Sequence, residues 1–200
     1  PALSLLKGAL LGVLASLLSA ALSGIDGRLV RVEVDVSPGL PSFTVVGLPD
    51  TSVRESRDRV RTAIRNSGFE FPWQHITINL APPDVRKEGA AYDLPIALGI
   101  VAATGALPAR AYTDVVVVGA LSLDGGVRPT GGVLPVAIAA ARAGIGSALV
   151  PAANAAEAAV VERLAVWPVA SLDEAVAVIA DRRDDRRYRR EASIEGGPDD

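Results

Sequence analysis

The stretch Lys87-Glu88-Gly89-Ala90-Ala91-Tyr92-Asp93 places a cation, two carboxylates and a glycine just ahead of the apolar run Leu94 to Val101. It lies between a strand-like segment, Gln74 to Leu80, and a helix. An α/β domain often sets a catalytic group or an anion site there, because the first N–H groups of a helix have no partner within it. The loop nevertheless holds neither serine nor cysteine, and the second glycine-rich loop, Gly131-Gly132-Val133-Leu134, holds no base. The architecture is that of an enzyme, but the side chains are not. Asp93 falls where it would cap the helix Leu94 to Thr104, with Pro95 in the first turn where a missing N–H costs little. A carboxylate committed to backbone N–H groups is a poor acid or base, and it already fills the positive end of the helix.

Other chemistries are excluded by residue type. With no cysteine there are no disulfides, thiolate metal sites or cysteine nucleophiles, and His75 is the single histidine. Zinc needs more ligands than that, so His75 reads as structural or exposed. No glycine-rich loop followed by lysine and serine or threonine occurs, so a P-loop is absent and this chain is expected to bind no cofactor. Gly125-Gly126 and Gly131-Gly132 read as turn geometry and close backbone approach. Asp84 with Glu88 is not tied by spacing to a metal set, and Glu33 and Asp35 share the wet face of a strand.

The most pronounced charge pattern lies on a helix expected from Ser52, with Glu55 completing a capping box, to about Asn66-Ser67. Arg54, Arg57, Arg61 and Arg65 recur three, four and four residues apart and so share one face. Val53, Val60 and Ile64 form the buried face. Asp58 dilutes the stripe, and Arg54–Asp58 and Glu55–Arg59 are i,i+4 pairs worth about 0.3 kcal/mol each. Two readings stay open: a solvated, self-paired face, or contact with a phosphate backbone or an acidic neighbouring subunit.

The elements that must hold these groups follow from composition and periodicity. The 200 residues are half hydrophobic, mostly alanine, valine and leucine, and carry a formal charge of −3. That suits one domain with a real core plus appendages. The chain has no methionine and opens at Pro1, so it reads as a piece of a longer or processed product. Residues Gly8 to Ile25 are uncharged and approach the length of a membrane span or signal peptide. Their alanine, serine and glycine content and the stripe Leu3, Leu6, Leu10, Leu14, Leu17 favour instead a packed helical extension over residues 1–18. Membrane association through residues 8–25 is the minority reading. Asp26-Gly27 reads as a hairpin turn, and alternation from Arg31 to Val36 marks a half-wet strand. Further strands are expected at Phe43–Val46, Val115–Val118, Ala148–Val150 and Leu164–Val166, with a tight ribbon over Gly119–Pro129. Helices are expected from Gly131-Gly132 to Arg142, over Asn154–Val160, and over Leu172–Ala180 capped by Ser171 with Glu174. Such alternation indicates a layered α/β (α+β) domain. Residues 181–200, arginine- and aspartate-rich and then acidic, read as a linker or tail that frays from the last helix.

Several long strings, read together, resemble a known family. Val45 to Arg61 (VVGLPDTSVRESRDRVR), then NSGFEFP, ITINLAPPDVRKEG, YDLPIALGI and GALSLDGGVRPTGGVLPVAIAAARAG, resemble the N-terminal domain of bacterial magnesium-chelatase-like AAA+ proteins of the competence-protein ComM and YifB type. The resemblance covers about residues 19–180. It implies the fold of the Lon protease proteolytic domain, related to the second domain of ribosomal protein S5. It also implies a cytoplasmic protein in which this domain precedes an ATPase module that binds ATP and Mg2+, forms a homo-hexamer and acts on branched DNA in recombination. In Lon-type proteases a Lys-Asp-Gly-Pro-Ser-Ala-Gly loop presents the nucleophile, which puts Ala91 at the serine position. The catalytic lysine follows Gly-Gly-Leu there, which puts Leu134 at the lysine position. Gly89, Gly131 and Gly132 keep the loop framework without the dyad. A methyl group cannot attack a carbonyl and leucine cannot take a proton. The resemblance therefore implies a pseudo-protease domain for assembly and substrate guidance, monomeric or weakly self-associating on its own. The rivals are an active Ser/Lys peptidase and a stand-alone nucleic-acid-binding module.

Overall fold

Two long antiparallel strands organise the computed structural model, which describes residues 13–108 and 111–189. Strand β1 (Val13–Ser23) runs against β2 (Asp26–Ser37) in continuous register from Val13↔Val36 to Ser23↔Asp26. The helical expectation thus fails for residues 13–18, while Leu3, Leu6 and Leu10 lie outside the described residues. Ala15, Leu17 and Ala21 point inward at period two, and pairing with β2 overrides a leucine spacing that also fits a helix. No helix among the described residues is long and apolar enough to cross a membrane. The turn between the strands is Gly24-Ile25, with Gly24 at φ 64°, and not Asp26-Gly27. Gly27 serves a different need: a Cβ there would lie 2.4 Å from the Pro135 carbonyl oxygen.

The sheet continues on both sides of this pair. Strands β3 (Ser42–Val46), β4 (His75–Ala81), β5 (Val115–Val117), β8 (Ser147–Pro151) and β9 (Ala165–Val169) complete a seven-stranded mixed sheet of order β3-β4-β2-β1-β5-β8-β9. β4 is antiparallel to β2, whereas β5, β8 and β9 continue parallel from β1. A small hairpin, β6 (Ala120–Leu121) with β7 (Val127–Arg128), stands apart.

Helices cover the two faces unequally. One face packs on α1 (Thr51–Arg54), α2 (Ser56–Asn66), α3 (Asp93–Ala103) and α6 (Leu172–Ala180) in the larger core. The other packs on α4 (Val133–Arg142) and α5 (Ala155–Ala158) in a second cluster. Alternation along β5 decides the side, Val115 and Val117 entering the first core and Val116 and Val118 the second. All residues of α3 are buried, as an apolar surface on every side requires. Gly99 allows its approach, because a Cβ there would sit 2.5 Å from Val34 Cγ2. Arg31, Glu33 and Asp35 lie on the wet face of β2 as their alternation predicts, with Asn79 Nδ2 donating to Glu33 Oε2 at 2.8 Å.

The helix caps are a mixed outcome. Ser171 caps α6, accepting from the Glu174 N–H at 3.4 Å, while Glu174 Oε2 accepts from the Ala170 N–H at 2.7 Å, one residue before the cap, so only the Ser171 half of the box forms as expected. Ser52 and Glu55 form none. Asp50 caps α1 instead, accepting from the Val53 N–H at 2.8 Å, and Glu55 is the joint between α1 and α2. The segment Asp181–Arg189 keeps two contacts with the body of the domain. The Tyr188 N–H donates to the Val166 carbonyl at 2.8 Å, and Arg182 pairs with Asp114 at 2.7 Å. Residues 190–200 lie outside the described residues.

Candidate functional site

The two glycine loops singled out by sequence meet at one cavity of about 350 Å³. It opens where β1 and β5, in register at Leu18↔Val116, diverge toward Ala20–Leu22 and Val118. Glu88 to Tyr92 form one rim, and Pro129, Thr130, Gly131 and Val133 the other. Ala91 is on the lining, but Leu134 is not. The Leu134 N–H donates to Glu157 Oε1 at 2.9 Å, a cap supplied from α5. Glu157 Oε2 and Thr130 are joined through Asn154, whose side chain accepts from the Thr130 N–H at 3.1 Å and donates to its carbonyl at 3.0 Å. Gly132 takes φ 75° at the start of α4, and a Cβ would strike Leu22 at 2.4 Å. Asn154 and Glu157 were not found from sequence, since neither carries a motif of its own.

The first rim is clamped to the Gly47-Leu48-Pro49-Asp50 segment. Lys87 exchanges backbone hydrogen bonds with Leu48 and Asp50, at 3.1 and 2.9 Å, and Asp50 Oδ2 accepts from the Gly89 N–H at 3.1 Å. Gly47, at φ 97°, lets this segment lie against β4, where a Cβ would fall 2.1 Å from the Leu80 carbonyl oxygen. Lys87 is fully buried and its Nζ donates to the Pro82 carbonyl. Desolvation lowers its pKa from the ordinary lysine value, against the pull of Asp84. The side chain is spent on the loop and faces no reacting group. Tyr92 is buried too, its hydroxyl donating to the Ala20 carbonyl at 3.1 Å, with its pKa pushed up by burial.

Asp93 does not cap α3. Its carboxylate turns inward to Arg59, which donates from Nε at 2.9 Å and from Nη2 at 3.0 Å, and it also accepts from the Leu121 N–H at 3.3 Å. Arg59 further donates to the Ser52 carbonyl at 3.0 Å. Burial raises the Asp93 pKa above the usual carboxylate value, and Arg59 and the Leu121 N–H oppose this. With two guanidinium bonds on it, Asp93 is an ionised structural partner rather than a cap or a catalytic acid. The expected Glu55–Arg59 pair gives way because Arg59 lies about 200° round the helix from Arg57 and points at the buried carboxylate. That offset was the available signal: five arginines on one helix, of which four share a face.

Those four lie on the outer surface. Arg54, Arg57 and Arg65 are exposed and none pairs with a carboxylate among the described residues, so the Arg54–Asp58 pair is not formed either. Arg61 is half-buried, its guanidinium 4.5 Å from the centroid of the Trp73 ring. His75 is exposed, bonded to the Ser42 hydroxyl and, at 3.2 Å, to the Thr77 hydroxyl. No group of three or more His, Cys, Asp or Glu among the described residues could hold a metal ion.

Fold and cleft define a mixed α/β domain in which two glycine loops frame a cavity lined by no serine, cysteine or lysine. Residues 32–154 match the family described as subunit ChlI of Mg-chelatase, and the chain belongs to that family, with homology to the AAA+ proteins YifB and ComM. It is 45% identical over 148 residues to competence protein ComM of Haemophilus influenzae, covering 74% of this chain and 29% of that protein. It is 49% identical over 121 residues to YifB of Escherichia coli, covering 60% and 24%. Similarity to Lon protease 1 of Hydrogenovibrio crunogenus is 28% over 162 residues, covering 75% and 20%. The chain therefore spans less than a third of the length of these relatives.

Proposed function

We propose that this chain is a non-catalytic assembly and substrate-guiding domain of a bacterial magnesium-chelatase-like AAA+ ATPase. The single observation behind this is the cleft: loop framework and cavity are kept, while Ala91 stands on its lining and Leu134 does not. A Ser/Lys peptidase needs a hydroxyl and an amine within hydrogen-bond reach. The rim's hydroxyls are those of Thr130 and of Tyr92, the latter donating to the Ala20 carbonyl, and Lys87 is buried against Pro82. The Lon-type, ribosomal-protein-S5-like fold belongs to this reading, supported by the mixed sheet and the similarity to Lon protease.

On the same reading the full-length protein is a cytoplasmic homo-hexamer that handles DNA in branch migration or recombination during natural transformation. ATP and Mg2+ belong to a module elsewhere in the polypeptide. The residues here do not fit that cofactor, since the one described lysine is committed to a carbonyl and no metal-holding carboxylate group exists among the described residues. Sedimentation of this chain beside the full-length protein, with and without nucleotide, tests the assignment. The expected result is a monomer or weak self-association for the chain, a nucleotide-promoted hexamer for the full length, and ATP turnover only in the latter. A stable hexamer of the chain alone, or ATP turnover by it, would overturn it.

A further inference from the structure

The outer surface of α1 and α2 combines two features that rarely coincide without a polyanion. Arg54, Arg57, Arg61 and Arg65 extend over about 16 Å of helix, and none of the four has a carboxylate partner among the described residues. Beside them stands Trp73, 63% exposed, on the loop that leaves α2. A tryptophan left in water is costly unless it has a use, and here it is braced: Arg61 lies over one face of the indole, leaving the rest of the ring to solvent. Glu55 and Asp58 are the two acids between positions 54 and 66, against five arginines of which one, Arg59, is taken up by Asp93, so the patch stays cationic on a chain whose formal charge is −3.

We propose, resting on the substrate-guiding reading above, that this surface binds single-stranded nucleic acid. Arg54, Arg57 and Arg65 take phosphates, and Trp73, held flat by Arg61, stacks an unpaired base. Duplex bases are already stacked on one another, so a projecting indole selects a single strand. Phosphate contacts from separate arginines add charge without reading sequence. The site is therefore tolerant of sequence and sensitive to salt.

The probe is a fluorescein-labelled oligothymidylate titrated with the full 200-residue chain, read by anisotropy and by tryptophan emission. Trp73 and Trp167 are the two tryptophans, and Trp167 is 6% exposed, so stacking quenches Trp73 while Trp167 reports that the fold is intact. The expected result is saturable quenching, about tenfold weaker binding for Trp73→Ala, and weaker binding to a blunt duplex of equal length. For Arg57→Glu with Arg65→Glu the slope of log affinity against log salt should fall by about 1.4, some 0.7 per lost contact. Absence of binding, or a Trp73→Ala variant that binds as tightly, would overturn the proposal. Equal competition by polyglutamate would also overturn it, in favour of an acidic protein surface. Failure here with a nucleotide-dependent ring intact defeats the patch alone. Oligothymidylate binding by a protein that forms no ring defeats the ring reading alone.

Discussion

Helix α2 and the turn before it carry five arginines whose fates differ completely. Arg59 lies beneath the surface against a fully buried Asp93, joined to it by two hydrogen bonds and to the Ser52 carbonyl by a third. Arg54, Arg57 and Arg65, within six residues of it, reach into solvent without an acidic partner among the described residues. The residue type is the same and the local propensity is the same. What differs is the direction round the helix and what lies there. On the inner side an arginine fixes the loop that frames the cleft, and on the outer side it remains free to meet something else.

Breaking the inner contact should have the largest effect. Arg59→Ala leaves the Asp93 carboxylate buried without its cation, and we expect a loss of about 3 kcal/mol in urea-induced unfolding. A loss below about 1 kcal/mol would mean that water replaces the guanidinium at Asp93. Asp93→Ala should cost somewhat less, about 2 kcal/mol, since the stranded Arg59 can turn toward solvent. The double variant Arg59→Ala/Asp93→Ala should show coupling of at least about 1 kcal/mol in a mutant cycle, whereas a helix cap would give additivity. Arg61→Ala removes the contact with Trp73 and should cost about 0.5–1 kcal/mol, with a shift in Trp73 emission. The smallest effect belongs to Arg57→Ala and Arg65→Ala, each within about 0.5 kcal/mol of the parent in the same unfolding series. Losses comparable to that of Arg59 would erase the distinction between the two sides.

Much of the frame was legible along the chain because its signals are local. Alternation from Arg31 to Val36 fixed a half-wet strand, Gly132 opened α4, Ser171 capped α6, and the Gly119–Pro129 ribbon folded as a hairpin. Two local signals misled for an identifiable reason. The leucine spacing of the first segment fits both a helix and a strand, and only the partner strand β2 decides between them. Asp26-Gly27 has the composition of a turn, yet its glycine is needed for the approach of Pro135.

At the candidate site the division is sharper. Residue identity alone removed cysteine, thiolate-metal and P-loop chemistry, and left Ala91 and Leu134 without a nucleophile or a base, because a side chain lacking the atom cannot do the chemistry in any fold. Residue spacing alone put four arginines on one face, because helix periodicity is independent of context. Which carboxylate each cation meets was decided only by the tertiary structure. Asp93 and Arg59 are separated by 34 positions, Lys87 turns onto a proline carbonyl, and Trp73 comes to lie under Arg61. Burial and pairing are properties of surfaces brought together from distant parts of the chain, and no window of sequence contains both surfaces.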